Sequence, residues 1–98
     1  MNEILTHVDA GVTTLTINRV EKKNSLTAAM YAALAQGIAQ AAQDSSQRVL
    51  VIQGHETVFS AGNDVADFLN QPPTGNDAPV FHFLQGIATF PKPLLAAV

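Results

Sequence analysis

The sequence has no cysteine and few charged residues, and both absences exclude classes of site. Without cysteine there is no disulfide framework and no thiolate metal site. The three histidines, His7, His55 and His82, lie too far apart in sequence for a short-range ligand cluster. Five lysines and arginines are scattered along a chain of net charge −3, so no basic face for nucleic acid is expected.

Long apolar runs are also absent. No stretch approaches the roughly 18 apolar residues that suggest a transmembrane helix. The start, MNEILTHVDAG, is polar and lacks the pattern of a secretory signal, so we expect no membrane association. A cytosolic or organelle-matrix location fits, and we predict a cytoplasmic one. With 98 residues, 47% of them hydrophobic, the chain can bury one small core and is too short for two domains.

The apolar pattern of the first half predicts strands and a helix. Residues 4–8 and 12–18 are rich in β-branched side chains, and the short turn between them predicts a β-hairpin. Thr27 can cap a helix that runs to about residue 43. One face of this helix carries apolar side chains at spacings of three and four, which we expect to pack on the sheet: Met30, Leu34, Ile38 and Ala41.

Two continuous apolar runs predict buried strands, RVLVIQ at 48–53 and LLAAV at 94–98. An apolar helix from about Val80 to Phe90 precedes the second run, and the composition of residues 70–79 predicts a loop. The order strand, helix, buried strand predicts a βαβ crossover. Because a chain rarely stops on a buried strand, we expect this sequence to be a fragment of a longer one.

The segment FSAGND, residues 59–64, joins the first buried run to a short amphipathic stretch, so the chain must turn sharply there. Gly62 permits a backbone angle that is closed to residues with a Cβ. Two interpretations compete for this turn. It is either a tight connection without chemistry, or a turn that directs the N–H of Asn63 toward a developing negative charge.

Four segments, considered together, carry a family resemblance. They are TLTINRVEKKNSLTAAMY, RVLVIQG, VFSAGNDVADF and FPKPLLAAV, and they cover essentially the whole chain. In order and spacing they resemble the N-terminal part of the enoyl-CoA hydratase/isomerase (crotonase) family. The resemblance implies an α/β fold of the ClpP/crotonase type, with ββα units and a mixed sheet. Residues 1–98 would then be the N-terminal part of a single crotonase-like domain.

The resemblance further implies an enzyme that acts on an enoyl-CoA thioester. Members polarise the thioester carbonyl with two backbone amides, and the residue after this glycine, here Asn63, supplies the first. The second amide and the catalytic acids lie beyond residue 98 in the family, so we expect this chain alone to be inactive. The loop EKKNSL would meet SAGND across the CoA moiety. Substrate-binding residues are then expected at Lys22, Lys23, Ser25, Leu26, Ala61, Gly62, Asn63, Asp64 and Val65.

Partners also follow from the resemblance. Coenzyme A is part of the substrate, so no separate cofactor and no metal are expected, and the full-length protein is expected to be a homo-oligomer, a trimer or a hexamer. The segment SAGNDVADF resembles the double-bond isomerase branch more than the commonest hydratases. Hydration, double-bond shift and other crotonase reactions share this part of the chain, so the reaction itself stays open.

Several acidic and basic residues near the turn have simpler interpretations. Asp64 and Asp67 are interpreted as first-turn acids that complement a helix dipole. His55 is interpreted as a surface-loop residue, and neither it nor Glu56 is assigned a proton-transfer role. A Rossmann-type site is not expected because no G-x-G-x-x-G spacing occurs. A non-catalytic fragment or interaction module of the same fold remains the alternative to an enzyme.

Overall fold

A computed structural model of the chain describes residues 3–55, 58–60, 62–70 and 78–97. Within these ranges four strands, three α-helices and one 3-10 turn follow one another along the chain. In order they are β1 (Ile4–Asp9), β2 (Val12–Ile17), the 3-10 turn (Val20–Lys22), α1 (Ala28–Gln43), β3 (Val49–Gln53), α2 (Val65–Asn70), α3 (Pro79–Thr89) and β4 (Leu94–Ala97).

The strands form one mixed sheet in the order β1-β2-β3-β4. β1 and β2 are antiparallel, and the turn residues between them, Ala10 and Gly11, both have positive φ, as tight hairpin turns require. β2 and β3 are parallel across α1, and β3 and β4 are also parallel. The predicted hairpin, crossover and mixed sheet are therefore confirmed.

The core lies between α1 and the sheet. α1 begins as predicted, because Thr27 Oγ1 accepts a hydrogen bond from the N–H of Met30 at 3.2 Å. Inward side chains alternate along β2 and β3, and the predicted stripe of α1 packs on them. The buried cluster consists of Leu15, Ile17, Met30, Leu34, Ile38, Ala41, Leu50 and Ile52.

The prediction that both apolar runs are buried strands is wrong in this chain. In β3, Leu50 and Ile52 are buried, but Val49 and Val51 on the opposite face are only half-buried. β4 is the last strand of the sheet that the described residues form, and it is mostly exposed because the buried cluster lies over β2 and β3. Leu95 in its middle is 58% exposed.

The remaining helices follow the predicted positions closely. α3 begins at Pro79, whose fixed φ suits the first helical position, and it ends one residue before the predicted end. The predicted loop at 70–79 falls largely on residues 71–77, which lie outside the described residues. No helix within the described ranges has both the length and the apolar character needed to cross a bilayer.

Candidate active site

Two loops meet at one end of the sheet: the loop from β2 to α1 and the loop from β3 to α2. The N–H of Leu26 donates to the carbonyl of Gly62 at 2.8 Å, and the N–H of Asp64 donates to the carbonyl of Leu26 at 2.9 Å. These two bonds form an isolated parallel bridge between Leu26 and Asn63. The EKKNSL and SAGND segments, which the resemblance brings together, are thus joined through their backbones.

This bridge sets the direction of the N–H of Asn63. The carbonyl of Gly62 and the N–H of Asn63 belong to one peptide unit, and no described peptide is cis. In a trans peptide the carbonyl and the N–H point in opposite directions. Since the carbonyl points at Leu26, the N–H of Asn63 points away from Leu26. Asn63 is exposed, and no acceptor in the described part of the chain receives this N–H.

Gly62 makes the turn possible through its backbone angle. Its φ is +97°, a region that L residues with a side chain rarely adopt. A Cβ at this position would meet no atom within 4 Å, so the requirement for glycine is conformational and not a matter of space. The Gly62 N–H donates to Ser60 Oγ at 3.1 Å, which closes the turn on the protein side.

Asn24 is a buried polar residue that joins the same two loops. It is fully buried, with φ of +55°, a left-handed conformation that asparagine tolerates better than most residues. Its Oδ1 accepts from the N–H of Arg19 at 2.6 Å, and its Nδ2 donates to the carbonyls of Val58 at 3.2 Å and Phe59 at 3.1 Å. Its carbonyl also accepts from Ser60 Oγ at 2.8 Å. The amide therefore holds the approach to SAGND in place.

Arg19 supplies the charged link between the loops. Its Nη1 lies 2.7 Å from Asp64 Oδ2, and both side chains are largely shielded from solvent. The same nitrogen donates to the carbonyl and the hydroxyl of Ser25, each at 3.2 Å, and Nε pairs with Glu3 at 3.1 Å. One guanidinium therefore connects three segments of the chain.

The two aspartates of SAGNDVAD have different partners. Asp64 Oδ1 accepts from the N–H of Asp67 at 2.9 Å, and this bond, together with Arg19, holds the pKa of Asp64 below its usual value. Asp67 lies in the first turn of α2, as interpreted, but its Oδ2 accepts from the N–H of Ala28 at 2.7 Å. Asp67 therefore caps α1, and Asp64 caps the start of α2.

Tyr31 contacts the loop from α1. Its hydroxyl donates to Oδ1 of Asn63, and its ring is tilted against Phe83 of α3, with centroids 5.3 Å apart. Burial raises the pKa of the Tyr31 hydroxyl. One side chain of α1 thus contacts both the SAGND loop and α3.

The other predicted site residues lie around this junction. Lys22 and Lys23 are exposed at the 3-10 turn, and the charge of Lys22 adds to the lowering of the pKa of Asp64. Val65, the first residue of α2, is 71% exposed. The N–H and carbonyl groups of Ser25 and Leu26 all have partners within the fold, so a ligand could use only the free lone pairs of their carbonyls.

Two residues considered from sequence lie outside the described residues, the predicted site residue Ala61 and the unassigned acid Glu56. His55 is exposed, and its backbone pairs with Val58 at the end of β3. In the described ranges, no group of three or more His, Asp or Glu side chains is placed to hold a metal ion.

Sequence reasoning missed three residues of this junction: Arg19, Asn24 and Tyr31. Arg19 stands shortly after the strand segment TLTI, and Asn24 follows a Lys-Lys pair in a loop. Asn24 could have been noticed, because asparagine is suited to turns, whereas nothing in the pattern marks Arg19. Nothing in the sequence pattern indicates the contact of Tyr31, because its spacing matches the edge of the apolar stripe of α1.

Comparison with known proteins identifies the family. The profile of the enoyl-CoA hydratase/isomerase family matches residues 7–98. The chain belongs to this family. It is 40% identical over 107 residues to the 1,2-epoxyphenylacetyl-CoA isomerase of Escherichia coli (strain K12), covering 100% of this chain and 40% of that protein. It is 34% identical to human enoyl-CoA delta isomerase 2, covering 90% of this chain and 24% of that protein.

The fold comparison agrees with the sequence comparison. The solved structure of Pseudomonas aeruginosa OdaA matches with a TM-score of 0.96 and 42% identity, covering 100% of this chain and 40% of that one. The predicted crotonase-type α/β fold is confirmed. The chain spans about two fifths of the length of the E. coli relative and of OdaA.

Proposed function

We propose that this chain is the N-terminal part of a single-domain enzyme that acts on an enoyl-CoA thioester through an enolate-like intermediate. The observation that carries the proposal is the direction of the Asn63 N–H, imposed by the Leu26 bridge and by the positive φ of Gly62. Membership of the enoyl-CoA hydratase/isomerase family supports a CoA thioester as substrate.

The chemistry needs a donor at this place. When a base removes a proton from the carbon beside a thioester carbonyl, or water adds to the conjugated double bond, negative charge moves onto the carbonyl oxygen. A fixed N–H that faces this oxygen stabilises the charge without reorganising, and such a donor contributes about 3 kcal/mol in other enzymes. Asn63 supplies one N–H, and the second donor and the acid/base residues belong to the rest of the protein.

The surroundings of Asn63 fit the two ends of an acyl-CoA. α2 presents Val65 and Leu69, which are 71% and 73% exposed and suit an acyl chain. Lys22 and Lys23 are exposed and can pair with CoA phosphates, while the carbonyls of Ser25 and Leu26 can accept from the adenine amino group.

Within the family we propose a double-bond shift, with hydration as the alternative. The proposal rests on the segment SAGNDVADF and on the two sequence relatives described above, both of which are named isomerases. Full-length protein incubated with a 3-enoyl-CoA should produce the ultraviolet absorbance of a conjugated enoyl thioester without a change of mass. A hydratase would instead consume a 2-enoyl-CoA, lose that absorbance and add one water to the product.

The 98-residue chain alone is proposed to be inactive, because one donor without its partner and without a proton-transfer residue makes a poor catalyst. Its mass must be verified before the assay, so that a longer contaminant is not measured. Turnover by the verified chain would contradict the mechanism. If the full-length protein binds no acyl-CoA and turns over no enoyl-CoA, the non-catalytic interaction module becomes the better assignment.

Three further properties are proposed from the resemblance to the family. The full-length protein is proposed to form a homo-oligomer, a trimer or a hexamer, to need no cofactor beyond the CoA of its substrate, and to be cytoplasmic. Sedimentation of the full-length protein as a monomer at micromolar concentration would contradict the first of these.

A further inference from the structure

The side chain of Asn63 is held by a contact separate from those of its backbone. The bridge to Leu26 fixes the peptide bonds on either side of Asn63, through the carbonyl of Gly62 and the N–H of Asp64. The Asn63 side chain is held separately, because its Oδ1 accepts a hydrogen bond from the hydroxyl of Tyr31. The exposed residue that carries the candidate donor is thus attached to the fold at two independent places.

Tyr31 is well placed to act as a rigid support. It lies one turn into α1, whose first N–H groups are capped by Thr27 and Asp67. Its ring is tilted by 51° against Phe83 of α3, a favourable arrangement for two aromatic rings. A tyrosine hydroxyl is a proton donor at neutral pH, and burial raises the pKa of the Tyr31 hydroxyl further.

We propose that Tyr31 is a positioning residue for the candidate oxyanion donor: its hydroxyl holds the Asn63 side chain and so limits the movement of the turn whose backbone directs the Asn63 N–H. This inference rests on the proposed function. In this role Tyr31 acts through its contact with Asn63. Its hydroxyl should therefore influence the stabilisation of the enolate-like state more than the binding of the CoA moiety.

The test uses the full-length protein and acetoacetyl-CoA, a thioester whose bound enolate has its own ultraviolet absorbance. Tyr31→Phe removes the hydroxyl and retains the ring that contacts Phe83. One neutral hydrogen bond contributes enough for about a three- to tenfold effect. We expect a decrease of that size in the ratio of enolate to ketone at saturation, and in kcat/KM on an enoyl-CoA, with little change in KM. Thr89→Ala, which removes an exposed hydroxyl that bonds only within α3, is the matched control and should change neither quantity.

A double-mutant cycle tests the route through Asn63. Asn63→Ala removes the acceptor of the same hydrogen bond. The double variant Tyr31→Phe with Asn63→Ala should therefore have a kcat/KM and an enolate-to-ketone ratio no lower than those of the more impaired single variant. Additive effects would show that Tyr31 does not act through Asn63 and would overturn the inference. If Tyr31→Phe folds poorly, Asn63→Ala alone can be measured, because it removes the same hydrogen bond at an exposed residue and should lower the enolate-to-ketone ratio by a similar factor.

The two proposals fail in distinguishable ways. If wild-type protein forms the enolate and Tyr31→Phe forms as much, the positioning role is wrong and the oxyanion assignment stands. If wild-type protein binds acetoacetyl-CoA without forming the enolate, or does not bind it, the proposed function is wrong and the inference is overturned with it.

Discussion

The guanidinium Nη1 of Arg19 lies 2.7 Å from Oδ2 of Asp64, the residue that follows the candidate oxyanion donor. Arg19 stands two residues after β2, and Asp64 stands one residue before α2, so the pair joins positions 45 residues apart in sequence. Asp64 also donates its N–H to Leu26 and caps α2. The ion pair therefore stabilises the same turn whose backbone directs the Asn63 N–H.

The first prediction concerns the pH dependence of this pair. The pKa of Asp64 is lowered in the folded state, by the Asp67 N–H first and then by Arg19, so the ionised carboxylate stabilises the fold. This contribution is fully present above the unfolded pKa of about 4 and is lost as the pH falls through the lower folded pKa. We expect wild type to be more stable than Asp64→Asn at pH 7, and expect this difference to shrink at acidic pH. Urea unfolding of wild type and Asp64→Asn between pH 7 and acidic pH measures this difference in the free energy of unfolding.

A second aspartate provides the comparison for that experiment. The pKa of Asp44 is also lowered, by the hydroxyl and the N–H of Ser46, at the far end of α1. Asp44→Asn should show the same direction of pH dependence without affecting kcat/KM. A constant difference between wild type and Asp64→Asn over the whole pH range would contradict the role assigned to the carboxylate.

The second prediction concerns the buried amide of Asn24. Asn24→Ala leaves the N–H of Arg19 and the carbonyls of Val58 and Phe59 without their partner in the interior. It also places alanine at a positive φ. Each unsatisfied buried group costs about 1 to 3 kcal/mol, so we expect the free energy of unfolding to fall by at least about 3 kcal/mol.

Chemical denaturation of the full-length protein measures this loss. Gln40→Ala, on the exposed side of α1, is the control and should change the free energy of unfolding by less than about 0.5 kcal/mol. If Asn24→Ala is as stable as the control, the amide is not the link between the loops.

The contrast between α1 and the Asn24 junction shows what the sequence can predict. The helix, its Thr27 cap and its buried face follow from local rules, since a period of 3.6 residues and a capping hydroxyl act within one segment. The junction depends on hydrogen bonds from Asn24 to residues 34 and 35 positions later. No periodic pattern encodes such a pair, so a polar loop residue and a buried link look alike in sequence.

Burial of strands was predicted less well for a similar reason. An apolar run indicates that a strand can be covered on both faces, but coverage depends on which elements pack there. Leu50 is buried under α1, whereas Leu95 in β4 is exposed at the edge of the sheet. The turn at Gly62 was predictable from the residue itself, because glycine readily adopts positive φ, and its φ in the structure is +97°.

The third prediction concerns Gly54, which follows β3. A Cβ built on Gly54 would lie 2.4 Å from the carbonyl oxygen and 2.5 Å from the Cα of Phe59. Because these are backbone atoms, Gly54→Ala must push the Phe59 segment away from β3. We expect the free energy of unfolding to decrease by about 1 to 3 kcal/mol, and kcat/KM to fall with it, since Asn24 binds the same segment.

The comparison for Gly54 is Gly62→Ala. There a Cβ meets nothing within 4 Å, and only the positive φ is unfavourable, which costs about 1 to 2 kcal/mol. Thermal melts and a crystal structure of Gly54→Ala would locate the displaced segment. An unchanged melting temperature with an undisplaced Phe59 would contradict the prediction.

The last prediction separates the backbone of the turn from its side chain. Because the donor is the Asn63 N–H, Asn63→Ala retains it and loses only the bond to Tyr31, so kcat/KM on an enoyl-CoA should fall no more than about tenfold. Gly62→Val puts a β-branched residue at a φ of +97° and should rotate the peptide that carries the donor. Loss of an oxyanion donor lowers rates by about 100-fold or more. If both folded variants lose the same activity, the Asn63 side chain and not its N–H carries the catalytic role.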